Sequence, residues 1–485
     1  MKKRRNSKYI LALALKTFEQ CPQAWRRGHR MRIYCHKNFR VILLLLILLL
    51  LSTKAHSATW YVDKDATGAN NGTSWDNAFT SLSAVSTVAG DTVYISGGTT
   101  SKTYPATWSP AGGTPGNPVT YRVGQDAGHN GTVIIEGGNT IEMGIKPGSN
   151  IVINGNYNGL KHIKIQNVAN IGIYTDNKSN LTFEYLVIDN AYDGITINYG
   201  TGYSISYCDI THITGDHGIT FGGTTGATWD SNLVHHNYIQ VGGNQDSAGY
   251  GADGIRWGPG TSFYNNTIES YKMNYGPTGQ HQDGFQVSDE FVKIYNNIIK
   301  NMGNSAIFID TFSPPKDVLI YNNVISIDVE AMTGYHRGIE IFHEGGVPGI
   351  WNNVRVYNNT IVDMPGYISI HLQTPKTTGI NVEVKNNLIY KSNDIISDVT
   401  NAVIGNNFVN GWGTPQFLYY STKNPKNNYS LLRTDTVAKD RGVALSSFFT
   451  NDILGVARPQ GTAWDIGAYE YKVKTPMNPV IISIE

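Results

Sequence analysis

One phrase recurs along this chain and limits what it can fold into: a Tyr-Asn-Asn triplet followed by a short apolar segment. Four clear copies carry their second Asn at Asn266, Asn297, Asn323 and Asn359. Weaker copies follow, and the spacings between successive second Asn positions up to position 407 are 31, 26, 36, 28 and 20 residues. Periods of this size are typical of solenoids, in which each repeat forms one coil.

A second phrase recurs out of phase with the first and consists of a small residue, most often Gly, followed by apolar residues at alternate positions. Its copies lie at residues 193–197, 217–221, 253–257, 283–287, 305–309 and 337–341. Strand side chains alternate between the two sides of a sheet, so each copy predicts one β-strand with an apolar inner side. Two strand phrases in each period predict coils with at least two faces, and stacking of these coils completes a common core.

The first 57 residues have the composition of an export signal. They hold 13 of the 38 Lys and Arg and a single acid, and residues 41–51 are all apolar. Eleven apolar residues are short for a membrane span but suit the core of a signal peptide, and small residues precede a cleavage site after Ser57. We expect a secreted, periplasmic or cell-surface protein. Met31 is an alternative start, and a membrane anchor at residues 41–51 is the alternative to cleavage.

Without this leader the chain is acidic. It keeps 25 of the 38 basic residues and 36 of the 37 acidic ones, which gives a net charge of about −11 and makes nucleic acid an unexpected partner. Cys21 and Cys35 lie in the leader, so exported Cys208 is expected to be unpaired. A chain with 52 Gly and only 15% charged residues suits a turn-dense all-β fold. We expect a monomer that is stabilised by coil stacking.

The two ends of the exported chain carry further motifs. Phe79, Leu82, Val85 and Val88 keep helical spacing, which predicts a short amphipathic helix after Asp76 that caps the first coil. Residues 61–63, 71–75 and 90–95 surround this segment, and residues 458–459 and 464–471 stand near the other end. Together these motifs resemble the amino-terminal module and the carboxy-terminal closing segment of secreted right-handed parallel β-helix proteins of the pectin-lyase-like family.

The resemblance implies a right-handed parallel β-helix whose closing segment caps the last coil. It leaves the activity open, because the family contains lyases, hydrolases, epimerases and proteins without known activity. The predicted division of the chain is a leader at 1–57, a cap with the first coils at 58–131, β-helix repeats at 132–410, a carboxy-terminal capping segment at 411–471 and a tail at 472–485.

Stacked strands lie about 4.8 Å apart, so residues distant in sequence form ladders on each face. Aligning the second phrase predicts one ladder before the strand: Asp193, His217, Asp253, Asp283, Ser305 and Arg337. It also predicts a ladder of outward residues: Thr196, Thr220, Arg256, Gln286, Phe308 and Glu340. Inward residues predicted to join the core are Ile255, Trp257, Phe285, Val287, Ile339 and Ile341.

One part of this face collects most of the charge and is called the charged strip here. Its members, which are the candidate catalytic residues, are Asp253, Arg256, His281, Asp283, Asp310, Arg337 and Glu340, with His336, His343 and Glu344 at its edges. Long loops at residues 242–251 and 271–280 are predicted to wall a groove beside it.

The Asp residues allow two roles. Asp253 and Asp283 on adjacent coils are candidate Ca²⁺ ligands, or an acid and base pair. Alternatively each Asp caps its turn by accepting backbone N–H bonds, which is the favoured interpretation for Asp193. His217, His235 and His236 are interpreted as surface or turn residues rather than ligands.

Three functions remain open at the level of sequence. Elimination on a uronate chain needs a base and a cation against the carboxylate, and β-helix polysaccharide lyases use Arg or Lys in this way; Arg256, Lys272, His281 and Arg337 are the candidates. Hydrolysis needs two carboxylates across the glycosidic bond, and residues 252–255 resemble loosely the Asn-Thr-Asp-Gly phrase of β-helical polygalacturonases, whose paired Asp and Arg-x-Lys motifs are missing. A non-catalytic glycan-binding rod is the third. Concentrated charge favours an enzyme that cleaves an acidic polysaccharide.

Overall fold

The fold is seen in a computed structural model. It describes residues 57–223, 228–242, 252–271, 282–287, 290–311, 313–329, 337–343, 349–364, 368–411 and 413–472. Within these residues the chain forms one 33-stranded sheet that pairs throughout in parallel register, together with two small antiparallel hairpins. The predicted parallel β-helix is therefore confirmed. The leader, including the predicted signal peptide, lies outside the described residues.

The coils have three strand faces. Face 1 precedes the Asn bend and contains the strands Thr59–Val62, Thr92–Ile95, Val119–Val123, Ile151–Asn154, Leu181–Glu184, Tyr203–Ser206, Asn232–His235, Thr261–Tyr264, Glu290–Tyr295, Lys316–Tyr321, Trp351–Tyr357, Glu383–Lys385 and Val403–Gly405.

Face 2 follows the bend and contains Ser101–Pro105, Thr132–Glu136, the first part of Ile163–Asp176, the first part of Leu186–Asn198, Asp209–Ile213, Tyr238–Val241, Thr267–Ser270, Ile298–Lys300, Val324–Ser326, Thr360–Val362, Leu388–Tyr390 and Phe408–Val409.

Face 3 carries the Gly phrases and contains Met143–Ile145, the second parts of the two long strands, His217–Gly222, Asp253–Trp257, Phe285–Val287, Ser305–Thr311, Arg337–His343, Ile370–Ile380 and Ile395–Thr400. The two antiparallel hairpins pair Asn156–Tyr157 with Leu160–Lys161, and Phe417–Tyr419 with Asn428–Leu431.

The bend between faces 1 and 2 explains the Tyr-Asn-Asn repeat. The first Asn of each copy, such as Asn296, has a φ near +56°, which Asn tolerates better than most residues. The second Asn is buried and continues a side-chain ladder: Asn266 Nδ2 donates to Asn297 Oδ1 at 3.0 Å, and Asn297 Nδ2 donates to Asn323 Oδ1 at 3.0 Å. Asn359 extends the line in the same way, so the predicted stacking of these four Asn residues is confirmed.

Inward side chains of the three faces form one continuous core. Most are Ile, Val and Phe, as in Ile255, Phe285 and Ile339, which are fully buried. Burial of each such side chain contributes roughly 1.5–3 kcal/mol. Cys208 lies in this core as a free thiol at the position that later coils give to the ladder Asn, and burial raises its pKa to about 12. The strands therefore stack without a disulfide among the described residues.

The prediction of an amphipathic helix in the amino-terminal segment is wrong. The helix expected after Asp76 is reduced to one 3-10 turn at Leu82–Ala84. Phe79 instead bridges to Val62 of face 1, and Ser81 Oγ accepts a hydrogen bond from the Ser83 backbone N–H at 3.2 Å. Five Ser and Thr side chains between positions 80 and 87 compete with helical hydrogen bonds in this way. Parallel pairing accordingly begins already at Thr59–Val62.

The closing segment occupies a different place from the one predicted. Instead of covering the last coil, it lies along the outside of the Asn bend across three coils. Asn322 Nδ2 donates to the Asn451 carbonyl at 2.8 Å, Asn358 Nδ2 to the Asp465 carbonyl at 2.9 Å, and Asn386 Nδ2 to the Val443 carbonyl at 2.8 Å. The first Asn of each pair points outward, so the bend offers one amide in each of these three coils to a segment running beside it.

Arg458 holds this segment together. Its side chain is fully buried and its Nη1 donates to Glu470 Oε2 at 3.0 Å. Its Nη2 donates to the Gly467 carbonyl at 2.9 Å and to Asn322 Oδ1 at 3.2 Å. One guanidinium thus links two parts of the closing segment to each other and links the segment to the β-helix at Asn322.

Candidate functional site

The strand register places the predicted ladders on face 3. His217 pairs with Asp253, and Ser305 pairs with Arg337. The outward ladder runs in consecutive pairs through Thr196, Thr220, Arg256, Gln286, Phe308 and Glu340, as the alternation predicted. Side chains separated by up to 144 residues in sequence therefore lie on one surface that is five strand spacings long.

Trp257 departs from the prediction, which placed it in the core. Its indole is 40% exposed, whereas Phe221, its partner on the preceding coil, is fully buried. The backbone of Trp257 has a φ of +60°, which is unusual for a bulky residue and turns the side chain out of the inward alternation. An exposed aromatic ring consequently stands beside the charged strip.

Arg256 binds the residue behind it and the ring beside it. Its Nη1 lies 3.0 Å from His217 Nε2, and its guanidinium carbon lies 4.5 Å from the centre of the Trp257 ring. Because Arg can only donate, His217 accepts at Nε2 and carries its proton at Nδ1. Burial, and then the Arg256 charge, lower the pKa of His217 to about 3. His217 is therefore a neutral acceptor that orients Arg256. The interpretation of His217 as a surface or turn residue does not describe this buried position.

The Asp residues of the first ladder all cap the next coil. Asp193 Oδ1 accepts from the His217 N–H at 2.9 Å, Asp253 Oδ1 from the Asp283 N–H at 2.8 Å, and Asp283 Oδ1 from the Ser305 N–H at 2.7 Å. Burial raises the pKa of Asp193 to about 6. The structural role that the sequence offered as an alternative is thus present at all three positions, and any chemical role of Asp253 and Asp283 is additional to it.

Glu340 is the centre of the most concentrated cluster on the strip. Its side chain is almost fully buried, and its Oε2 accepts hydrogen bonds from Ser305 Oγ at 3.2 Å and from Arg337 Nη1. Burial raises the pKa of Glu340 above its ordinary value, and the Asp283 carboxylate raises it further, although Arg337 opposes both effects. Asp283, Arg337 and Glu340 therefore lie in one cluster, whereas the sequence placed Asp283 with Asp253, Arg256 and His281, and Arg337 and Glu340 further along the strip.

Two residues on the following coils complete this cluster and were missed at the level of sequence. His371 pairs with Glu340 in register, and its Nδ1 lies 3.9 Å from Glu340 Oε1. Its Nε2 lies 3.9 Å from Oδ2 of Asp398. The signal was present: Ile370 and Leu372 flank His371 as Ile339 and Ile341 flank Glu340, 31 residues earlier.

The other predicted residues lie further from Glu340 or outside the described residues. Asp310 projects from the strip one coil before, and its Oδ2 accepts a long hydrogen bond of 3.5 Å from Gln286. His343 is buried, at an inward position of the strand that holds Glu340. The candidates His281, His336, Glu344 and Lys272 lie outside the described residues. Residues 243–251 and 273–280 of the predicted groove walls lie outside them as well.

The described residues supply only part of a Ca²⁺ site at Asp253 and Asp283. Each carboxylate already uses Oδ1 for a backbone N–H, whereas Ca²⁺ takes six to eight oxygen ligands. Among the residues that the structure describes, no three His, Cys, Asp or Glu side chains gather as a metal group. Calcium at these two residues stays a prediction.

Comparison with known proteins bears on the fold. No family model matches this chain, and no curated protein matches its sequence. Among solved structures, XylC in complex with xylose has a TM-score of 0.53 at 11% identity and covers 84% of this chain and 98% of its own. Pectate lyase Pel9A has a TM-score of 0.49 at 15% identity, and the match covers 87% of this chain and 98% of the lyase. A rhamnogalacturonan lyase has a TM-score of 0.44 at 17% identity, and the match covers 75% of this chain and 91% of that lyase. Such identities show a shared fold alone.

The described part of the chain contains no helix that could span a membrane.

Proposed function

We propose that this protein binds a polysaccharide along the outward side of face 3 and cleaves a glycosidic bond at Glu340. The observation that carries this proposal is the setting of Glu340, a buried carboxyl on the outward ladder, bonded to Ser305 and Arg337. Burial raises its pKa, so the carboxyl keeps its proton at pH values where an exposed Glu has lost it. A carboxyl held in this way suits a proton donor to a leaving sugar oxygen.

Hydrolysis is the reaction that the carboxyl groups favour. A glycoside hydrolase pairs the acid with a second carboxylate that acts as nucleophile or as base toward water. Asp283 is close enough to raise the pKa of Glu340, and Asp310 projects from the neighbouring coil. Either carboxylate would take the second role. Arg337 beside Glu340 would stabilise the carboxylate that remains after proton transfer.

Sugar binding is favoured by the other end of the strip. The exposed Trp257 ring offers an apolar surface of the kind that lines ligand sites, and Arg256 beside it adds a fixed positive charge. The concentration of charge on one face also favours an enzyme over a non-catalytic rod, because a rod predicts scattered polar residues. XylC, which shares the fold, is described with a bound sugar.

Elimination on an acidic chain is the second candidate, and Arg256 favours it. A guanidinium that is held by a neutral His can bind the carboxylate of a uronate and stabilise charge that develops during proton abstraction. The substrate would then be an acidic polysaccharide, as the sequence predicts.

The test is a screen of the exported chain on acidic and neutral polysaccharides, with reducing ends measured for hydrolysis and ultraviolet absorbance of unsaturated ends for elimination. Glu340→Gln should lower the rate by about 10²–10⁴-fold, the usual contribution of an acid or base. The parent rate should fall as pH rises through the raised pKa of Glu340, since only its protonated form donates. Glu269→Gln on face 2 is the matched control and should keep the parent rate. A parent without activity on any chain, or an active Glu340→Gln, would refute the proposal.

A further inference from the structure

The Glu340 side chain is buried beside Ser305 and Arg337, so a proton needs a route from solvent to its carboxyl group. Its Oε2 is bonded to Ser305 and Arg337, neither of which delivers a proton at neutral pH, since the guanidinium stays charged and the hydroxyl stays protonated. Its other oxygen, Oε1, faces the next coil toward His371. A donor that loses its proton in each turnover must recover it, and His371 lies in that direction.

The three side chains form a series from the interior to solvent. The exposed fraction of the side chain is 2% for Glu340, 12% for His371 and 43% for Asp398. His371 stands between the two carboxyl groups, 3.9 Å from each through opposite ring nitrogens. Its Nδ1 is buried and has no hydrogen-bond partner in the described part of the chain. Such distances exceed hydrogen-bond lengths, as catalytic contacts often do before substrate binds.

We propose that His371 is a proton relay that returns a proton from Asp398 and solvent to Glu340 after each cleavage. This inference rests on the proposed function of Glu340. In the relay the Nδ1–H proton passes to Oε1 of the Glu340 carboxylate, while Nε2 takes a proton from the Asp398 carboxyl or from water. One proton thus moves from solvent to Glu340 and leaves the ring as its Nε2–H tautomer. The starting tautomer returns when Nε2 gives its proton back to solvent and Nδ1 takes one from solvent.

The surroundings of the ring keep it neutral, as a relay requires. Burial lowers the pKa of His371, Asp398 raises it and Arg337 lowers it. The charged groups that face the ring are Arg337 and Glu340 on the preceding coil, with Asp283 behind them, and Asp398 on the following coil. A neutral imidazole can accept at one nitrogen while it donates at the other.

The kinetic test uses the exported chain and the polysaccharide that it cleaves. His371→Gln should lower kcat at least tenfold with KM nearly unchanged and should shift the pH profile of kcat, because substrate contacts persist while reprotonation slows. Added imidazole should restore part of the rate of His371→Ala. Asp398→Asn should show a smaller loss, since water still reaches Nε2. His212→Gln, an exposed His beside an Asp on another face, is the matched control. An unchanged kcat and pH profile in His371→Gln would overturn the relay.

A second measurement needs no substrate and separates this inference from the proposed function. The ring of His371 is titrated by NMR in the parent, in Asp398→Asn and in Glu340→Gln. Asp398→Asn should lower the midpoint, and Glu340→Gln should move it in the pH range where Glu340 ionises. If neither substitution moves the midpoint, the three groups are not coupled and the relay is excluded. Shifted midpoints in a protein that cleaves nothing would leave the coupling intact and refute only the proposed function.

Discussion

At the scale of a single residue, Asp283 has two roles: it caps a turn, and its charge acts on Glu340. Its Oδ1 accepts from the Ser305 backbone and from Asn304 Nδ2 at 2.9 Å, which orders the next turn. Its negative charge also raises the pKa of Glu340. An amide at this position keeps an oxygen that can accept the backbone hydrogen bond but removes the charge.

Asp283→Asn should therefore abolish cleavage while the fold persists. The melting temperature should change little, because loss of a turn-capping charge costs on the order of 1 kcal/mol. Asp193→Asn, in the same ladder two coils before Asp253, is the control and should keep the parent rate. Activity is measured as reducing or unsaturated ends. Equal rates for the parent and Asp283→Asn would limit Asp283 to capping and would require another base.

Calcium at Asp253 and Asp283 has its own test. If these carboxylates ligate the ion, chelation should remove activity from the parent, and added Ca²⁺ should restore it, but added Ca²⁺ should leave Asp283→Asn inactive. Chelation should also lower the melting temperature of the parent, because an ion that binds only the folded state stabilises it. If the chelator changes neither the rate nor the melting temperature of the parent protein, the prediction of a Ca²⁺ site is contradicted.

At the scale of an element, the Asn bend repeats one hydrogen-bonding pattern from coil to coil. The side chain of Asn297 makes four hydrogen bonds: its Oδ1 accepts from the backbone N–H and Nδ2 of Asn266, and its Nδ2 donates to the Phe263 carbonyl and to Asn323 Oδ1. All of these groups are removed from water, so the loss of one side chain leaves several polar groups unpaired.

We expect Asn297→Ala to lower the free energy of unfolding by about 3 kcal/mol or more, since each buried unpaired group costs about 1–3 kcal/mol. Urea denaturation measures this difference. Asn117→Ala, at an exposed position outside the ladder, should stay within about 0.5 kcal/mol of the parent. Similar losses in both variants would show that the ladder adds no stability of its own.

The Asn ladder was predictable because the same residue type occupies the same position in successive coils from Asn266 onward. The side-chain direction of Trp257, the turns after Asp76 and the position of His371 were not predicted, each for a different physical reason. Alternation assumes an extended backbone, and the φ of +60° at Trp257 breaks that assumption. Helical spacing after Asp76 was present, but Ser and Thr side chains held the backbone in turns. His371 escaped because Ser369 stands just before its strand at the position where five of the six aligned copies have Gly.

At the scale of the whole molecule, the parallel β-helix followed from period and alternation, whereas the position of the closing segment did not. Its anchors are outward amides on three different coils together with Arg458, and no local pattern indicates which coils a distant segment will contact. The residues that assemble around Glu340 come from five coils, so their grouping depended on a correct register across the whole strip.

Arg458→Leu should destabilise the entire protein. The substitution leaves Glu470 buried without its cation and removes the bond to Asn322. Breaking a buried ion pair by removal of one partner costs about 3–5 kcal/mol. The unfolding midpoint in urea measures the loss, and Arg433→Leu at an exposed position of the same segment is the control. A midpoint close to that of the parent would mean that the closing segment contributes little to the stability of the coils.

The lateral position of the closing segment also sets where the length of this protein can change. Stacked coils are modular, and duplication or loss of one coil near Thr59–Val62 leaves every contact of the closing segment in place. Between Asn322 and Asn386 the same event would separate amides that must meet Asn451, Asp465 and Val443 along one continuous segment. The closing segment spans three coils of fixed spacing, so we expect coils to be gained or lost on the amino-terminal side of the β-helix and not between Asn322 and Asn386.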